Sequence, residues 1–203
     1  MLFRSRIDTA TAAHALEHAG WCVCPDVLPA AAIAALAAEC RTLDARQQLA
    51  PARTGRGTTH ADRGLRGDRT RWFDALALSP AQTAYWQALD ALRIDLNRAL
   101  LLGLAELEAH YALYPPGAGY ARHRDRFRDD DARVLSSVLY LNDDWSEDDG
   151  GALRLHLPAG CHDIAPRAGT LALFLSAEIE HEVLPAARER LSIAGWFRRR
   201  DVP

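Results

Sequence analysis

Apolar residues in the first half of the chain recur at three- and four-residue steps, the spacing of an amphipathic helix. The clearest set is Tyr85, Leu89, Leu92, Leu96 and Leu100, one stripe of a helix that starts at Ser79-Pro80 and stops near Gly103. Two helices are expected before it. Asp8 or Thr9 can cap a short one ending at Gly20, a residue type suited to the left-handed C′ position. Pro29 opens an alanine-rich one running to about Gln48, since proline is tolerated in the first helical turn. Trp21-Cys22-Val23, between them, reads as a brief strand. From His110 onward the period changes. Short runs of Leu, Val, Tyr and Phe alternate with turn chemistry at Pro115-Pro116-Gly117, Asn142-Asp143-Asp144, Gly150-Gly151, Pro158-Ala159-Gly160 and Arg167-Ala168-Gly169. Strands at such intervals predict a sandwich, a barrel or a jelly roll.

The stretch Arg53 to Arg71 interrupts the pattern. It is rich in Gly, Thr and Arg and poor in apolar residues, so it reads as a long mobile loop. A functional lid and a disordered excursion both fit that composition. Chain length (203 residues), 49% apolar and 25% charged residues fit one domain with one sizeable core. Every one of the 24 basic residues is arginine. Without lysine there is no Walker-type phosphate loop, no pyridoxal Schiff base and no kinase ATP-gripping lysine. A net charge of −3 argues against a chain dedicated to nucleic acid. Cys22, Cys24, Cys40 and Cys161 show no zinc spacing and no C-x-x-C pair, as expected of unpaired thiols in a reducing cytoplasm. No signal-type segment and no membrane-length apolar run appears, so a cytoplasmic protein without a membrane partner is expected.

The candidate chemistry begins at His123-Arg124-Asp125, on the strand expected after the Pro-Pro-Gly turn. Residues i and i+2 of a strand share a face, about 6–7 Å apart at the backbone, so an imidazole and a carboxylate can converge on one metal ion. His181, in Glu180-His181-Glu182-Val183, is the best third ligand. Two histidines and a carboxylate with open positions opposite are the arrangement of non-haem Fe(II) oxygenases. Nine residues further on, Arg190 opens a strand whose alternation puts Arg190, Ser192, Ala194 and Trp196 on one face. The other face holds Leu191, Ile193 and Phe197. A charge on an otherwise apolar face needs a partner, and guanidinium binds carboxylate bidentately.

These residues resemble the 2-oxoglutarate/Fe(II)-dependent dioxygenases. Within that family the chain more closely resembles the prolyl hydroxylases that act on hypoxia-inducible factor and their bacterial relatives that act on elongation factor Tu. The resemblance runs through Tyr114 to Asp125, Tyr140-Leu141-Asn142 with Trp145, Gly150 to Arg154, His181, Arg190 and Trp196. Upstream, Arg66-Gly67-Asp68 followed by Trp72 is similar to that family's substrate-covering loop. The resemblance implies an α+β, mainly β chain with a double-stranded β-helix (jelly-roll) core supported by N-terminal helices. It implies one catalytic domain over residues 1–203. Residues 1–105 would be the helical support with the loop 53–71, and 106–198 the core. It implies that His123, Asp125 and His181 hold Fe(II). Arg190 and Tyr140 would bind the distal carboxylate of 2-oxoglutarate, with Tyr114, Leu153, Ser192 and Trp196 around them. Arg66, Asp68 and Arg133 would meet the protein substrate. It also implies dioxygen as co-substrate, L-ascorbate as an accessory cofactor, oxygen sensing as a role, and hydroxylation of a prolyl residue with release of succinate and CO2. Elongation factor Tu is the expected partner, and a monomer the expected state. Ala194 departs from the family, where human-type enzymes carry threonine.

Other patterns weigh less. His-Arg-Asp opens the kinase catalytic loop, but Asp130 stands where that loop needs Asn. His14-Ala15-Leu16-Glu17-His18 matches an inverted zinc-protease pattern, yet lies on the polar side of the first helix. His60 falls in the loop, while His110, His156 and His162 are expected at the surface or in turns, with His156 outside the barrel. Asp129-Asp130-Asp131 and Asp143-Asp144 read as solvated turns. A related oxygenase acting on a nucleobase or small molecule, and a non-catalytic metal-binding jelly roll, are the competing whole-protein readings.

Overall fold

A computed structural model describes residues 7–52, 65–125 and 132–200. His60, most of the expected loop (53–64) and Asp129-Asp130-Asp131 lie outside the described residues. The first helix, α1 (Thr9–Ala19), begins where the Asp8 carboxylate accepts the Thr11 N–H at 3.2 Å and ends on Gly20 at φ 76°. The second, α2 (Ala30–Ala45), starts after Pro29 and stops three residues earlier than expected from the sequence. Its last turn closes when the Arg46 N–H bonds the Thr42 carbonyl, and Gln47 then takes a positive φ. The third, α3 (Pro80–Leu100), carries a capping box built by Ser79 and Gln82. It ends on Leu101, at φ 52°, before Gly103 is reached, because Asn97 accepts and donates to Leu104 across the turn. Of the expected stripe, Tyr85, Leu89, Leu92 and Leu96 are buried and Leu100 is partly so.

Eleven strands are defined among the described residues: β1 (Trp21–Cys24), β2 (Ala50–Pro51), β3 (Arg69–Trp72), β4 (Glu106–Tyr114), β5 (Tyr120–His123), β6 (Arg133–Tyr140), β7 (Leu153–Leu157), β8 (Gly160–Ile164), β9 (Leu171–Leu175), β10 (Glu180–Val183) and β11 (Arg190–Arg198). They form a seven-stranded sheet in the order β1-β9-β6-β11-β4-β3-β2 and a four-stranded sheet in the order β5-β10-β7-β8. Two facing antiparallel sheets make the jelly roll. Alternation sorts each strand's side chains. Leu171, Leu173, Leu191, Ile193 and Phe197 pack with the helices behind the large sheet. Ala172 and Phe174, from the opposite face of β9, pack with Leu153, Leu155 and Val183 between the sheets. Three layers result, with the helices holding the large sheet from behind.

Strand β3 corrects the loop assignment of Arg53 to Arg71 at its C-terminal end. Arg69–Trp72 pairs with β4 in register, Arg69 opposite Leu113 and Trp72 opposite His110. Composition concealed it because its polarity is satisfied locally, the Arg69 guanidinium making two 2.7 Å bonds to Asp44. All four cysteines are free thiols, Cys161 exposed and the other three buried. No helix among the described residues is long and apolar enough to cross a membrane.

Candidate active site

The four-stranded sheet brings the two metal-type histidines together by register, since His123 of β5 and His181 of β10 are direct antiparallel partners. Their ring centroids are 4.2 Å apart. Strand β5 ends at His123, so Asp125 sits two residues beyond it and needs another means of positioning. The Ser136 hydroxyl on β6 supplies it, donating to the Asp125 carboxylate at 2.7 Å. Ser176, 2.8 Å from Ser136, extends that chain into the buried interior. The His123 and His181 Nε2 atoms lie 3.5 and 3.6 Å from the two Asp125 carboxylate oxygens. All three residues present a donor atom within 4.8 Å of the others.

Backbone carbonyls set the tautomers. His123 Nδ1 is 2.8 Å from the Ala121 carbonyl and His181 Nδ1 is 3.3 Å from that of Ile179. With Nδ1–H donating, each Nε2 keeps its lone pair for a metal. Burial pushes the Asp125 carboxyl up, but His181, His123 and the Ser136 hydroxyl outweigh it and hold the group well below the usual carboxylate range. Burial likewise pushes the His181 imidazole down, against the pull of Asp125, and so keeps it neutral. A neutral imidazole and an ionised carboxylate are the protonation states that bind a divalent cation.

Register also gathers the second group of residues. On β11, Arg190 stands opposite Tyr114 of β4, and Ser192 opposite Tyr140 of β6. Arg190 is only 1% exposed. Its Nε donates to the Gly151 carbonyl at 2.8 Å and its Nη1 to Ser192 Oγ at 3.3 Å. The third nitrogen, Nη2, is buried without a hydrogen-bond partner, as is the Tyr140 hydroxyl. Burial pushes the Tyr140 phenol up to about 12, so it stays a donor. A Cβ on Gly151 would come within 3.3 Å of the Arg190 Cδ and 2.8 Å of the Ala186 side chain, so glycine is what admits the guanidinium here. Asn142 fixes the strand beside it, accepting the Leu191 N–H at 2.6 Å and donating to the Leu191 carbonyl at 3.0 Å. A buried guanidinium N–H and a buried phenol, both lacking acceptors, fit the carboxylate of a dicarboxylic acid.

The His123, Asp125 and His181 group and Arg190 open onto one cavity of ≈ 780 Å³, with Tyr114, Leu153, Val183, Ser192 and Trp196 among its walls, while the fully buried Tyr140 is not one of them. Farther out it becomes a groove lined by Arg66, Trp72, His110 and Arg133. Arg66 stacks 4.4 Å over Tyr120, which in turn stacks at 3.6 Å on His123. Asp68 is fully buried behind Arg66 and binds it through both oxygens, at 2.7 and 2.6 Å. Arg133 lies 3.8 Å over the Trp196 ring and donates to Glu108 at 2.7 Å.

His110 corrects the expectation of a surface or turn residue. It is 3% exposed, packed between Trp72 and Trp196 at centroid distances of 4.7 and 5.4 Å. Alternation carries the signal: His110, Ala112 and Tyr114 share one face of β4, the face that lines the cavity. The same rule joins Ser136 to Tyr140 on β6. Burial pushes the His110 imidazole down to about 4, so it is neutral when folded. The unfolded chain then binds the extra proton between about pH 6.5 and pH 4, where stability falls as pH falls. That contribution is fully present above pH 6.5 and amounts to about 3 kcal/mol. His110→Asn, which keeps an N–H for the Tyr111 carbonyl, should flatten urea-melt stability across that window by a comparable amount.

Residues 109–198 match the 2OG-Fe(II) oxygenase superfamily. A solved prolyl-4-hydroxylase from Pseudomonas putida is 50% identical, with a TM-score of 0.87 over 95% of this chain and 100% of that one. The chain therefore belongs to the 2OG-Fe(II) oxygenase superfamily, whose members use Fe(II), 2-oxoglutarate and dioxygen. Within it, its similarity is to prolyl hydroxylases. A Trichoplax adhaerens prolyl hydroxylase in complex with a hypoxia-inducible-factor peptide fragment shares the fold at TM-score 0.83 and 24% identity, over 94% of this chain and 88% of that one. Egl nine homolog 1 of Rattus norvegicus is 38% identical over 96 residues, 44% of this chain. The match spans only 28% of that relative's length.

Proposed function

We propose that this protein hydroxylates a prolyl residue of a protein substrate, and that elongation factor Tu is that substrate. The observation that carries the reading is the placement of His123, Asp125 and His181 in an open groove beside a buried guanidinium with a free N–H. The likeness to prolyl hydroxylases supports the prolyl target. The elongation factor comes from the resemblance of the sequence motifs to the bacterial branch.

Bound Fe(II) and 2-oxoglutarate, with dioxygen, would supply the oxidation and release succinate and CO2. The chain's own residues orient and shield. His123 and His181 offer Nε2, and Asp125 a carboxylate whose direction Ser136 fixes. Arg190, with Ser192 and Tyr140 beside it, would hold the far carboxylate of the keto acid. Tyr114 and Leu153 keep that end dry, which strengthens the ionic contact, while Trp196 lines the same cavity farther along β11. Arg66, steadied by Asp68, and Arg133, steadied by Glu108, line the groove through which a polypeptide approaches.

The test is anaerobic incubation with Fe(II), 2-oxoglutarate and purified elongation factor Tu, followed by air and peptide mass analysis. One added oxygen on a proline, with an equivalent of succinate, is expected. Succinate formed without any modified proline, or oxygen found on a nucleobase or small molecule, would overturn the prolyl reading.

A further inference from the structure

The solvent face of the four-stranded sheet carries a second constellation that the site above does not use. On β7, His156 stands directly opposite Glu180 of β10 on one side and Cys161 of β8 on the other. Arg154, two residues earlier, stands opposite Glu182 and Asp163. Most charges on this face are matched in pairs. Glu180 takes Arg122 and Arg124, and Asp163 takes Arg154 through two 2.8 Å bonds. Glu182 turns to His156, its Oε1 lying 3.0 Å from the Nε2. The other ring nitrogen, Nδ1, is 3.5 Å from the Cys161 sulfur.

The order is thiol, imidazole, carboxylate. With Nε2–H donating to Glu182, Nδ1 is the acceptor that faces the thiol, and the carboxylate orients the ring. Cys161 lies on an edge strand and is exposed, whereas Cys22, Cys24 and Cys40 are buried. We propose that Cys161, His156 and Glu182 form a thiol-exchange site, at which a low-molecular-weight disulfide such as oxidised glutathione joins Cys161 as a mixed disulfide. His156 takes the thiol proton as the Cys161 sulfur attacks one sulfur of the disulfide. The old S–S bond breaks, and the departing thiolate recovers the proton. Cys161 is oxidised, the released glutathione is reduced, and nothing else is consumed.

The test uses the whole metal-loaded protein. Oxidised glutathione should give one adduct, mapped to Cys161 by peptide mass analysis and removed by a reducing thiol. Alkylation by iodoacetamide should then be timed at each cysteine. Exposure alone would make Cys161 the first to react, so the comparison that decides is His156→Asn, which should slow Cys161 about tenfold. Glu182→Gln should slow it less, about threefold. Continued protection of Cys22, Cys24 and Cys40 reports that each variant is folded. Should His156→Asn expose them, Glu182→Gln carries the comparison. An unchanged Cys161 rate in a folded variant, or no glutathione adduct at Cys161, would overturn the proposal.

Discussion

Asp125→Ala should abolish succinate formation and weaken binding of Mn(II), a redox-silent stand-in for Fe(II), by more than about 100-fold. The size follows from what the residue supplies. It is the only carboxylate in the His123, Asp125 and His181 group, and it is held ionised although enclosed. Removing it leaves only two imidazoles to hold a dication. Ser136→Ala is the informative companion, because Ser136 reaches the metal site only through Asp125. Losing an outer partner of this kind costs about 10–100-fold in metal affinity, so its effect should fall clearly short of Asp125→Ala. Ser136→Thr, which keeps the hydroxyl, should restore most of it. Titration calorimetry with Mn(II) reads both without turnover. Equal losses in the two variants would mean that Asp125 acts by supporting the fold and not as a ligand.

Arg190→Met should raise the 2-oxoglutarate KM by about 100-fold or more while leaving Mn(II) affinity nearly unchanged. Truncating one member of a buried, hydrogen-bonded charge pair costs roughly 2–5 kcal/mol, and each 1.4 kcal/mol is tenfold. The sign on stability is opposite and diagnostic. Among the described residues no carboxylate pairs with Arg190, so its charge stands enclosed with only Gly151 and Ser192 as acceptors. Replacing such a charge by an apolar side chain of similar length should raise the melting temperature of the protein without 2-oxoglutarate. The added stability that 2-oxoglutarate confers on the wild type should vanish in the variant. Arg190→Lys should recover little, since a point charge cannot reproduce the fork that reaches Gly151 and Ser192 at once. An unchanged KM, with melting insensitive to 2-oxoglutarate in wild type and variant alike, would remove Arg190 as the anchor.

Much of this was legible along the chain because it depends on local period. Gly20, Pro29 and Ser79-Pro80 mark helix ends by backbone chemistry alone. The alternation of Arg190, Ser192, Ala194 and Trp196 against Leu191, Ile193 and Phe197 follows from the pleat, and the cavity and the helix-facing core receive those two sets as expected. The misreadings share one cause. Arg69–Arg71 reads as loop because arginines suggest solvent, yet Asp44, from a distant helix, satisfies Arg69. His110 reads as a surface residue by polarity, while its place on β4 buries it between Trp72 and Trp196. Whether a polar side chain is exposed depends on partners that no local window contains.

Which faces of which strands carry chemistry follows from residue order alone, because side-chain direction in a strand is fixed by geometry at every second residue. Which strands lie side by side is a property of the folded molecule. The pairing of His123 with His181, and of Ser192 with Tyr140, joins residues far apart along the chain. Those pairings arise from packing the two sheets and the helices behind them, a balance of burial over the whole molecule that no short stretch encodes.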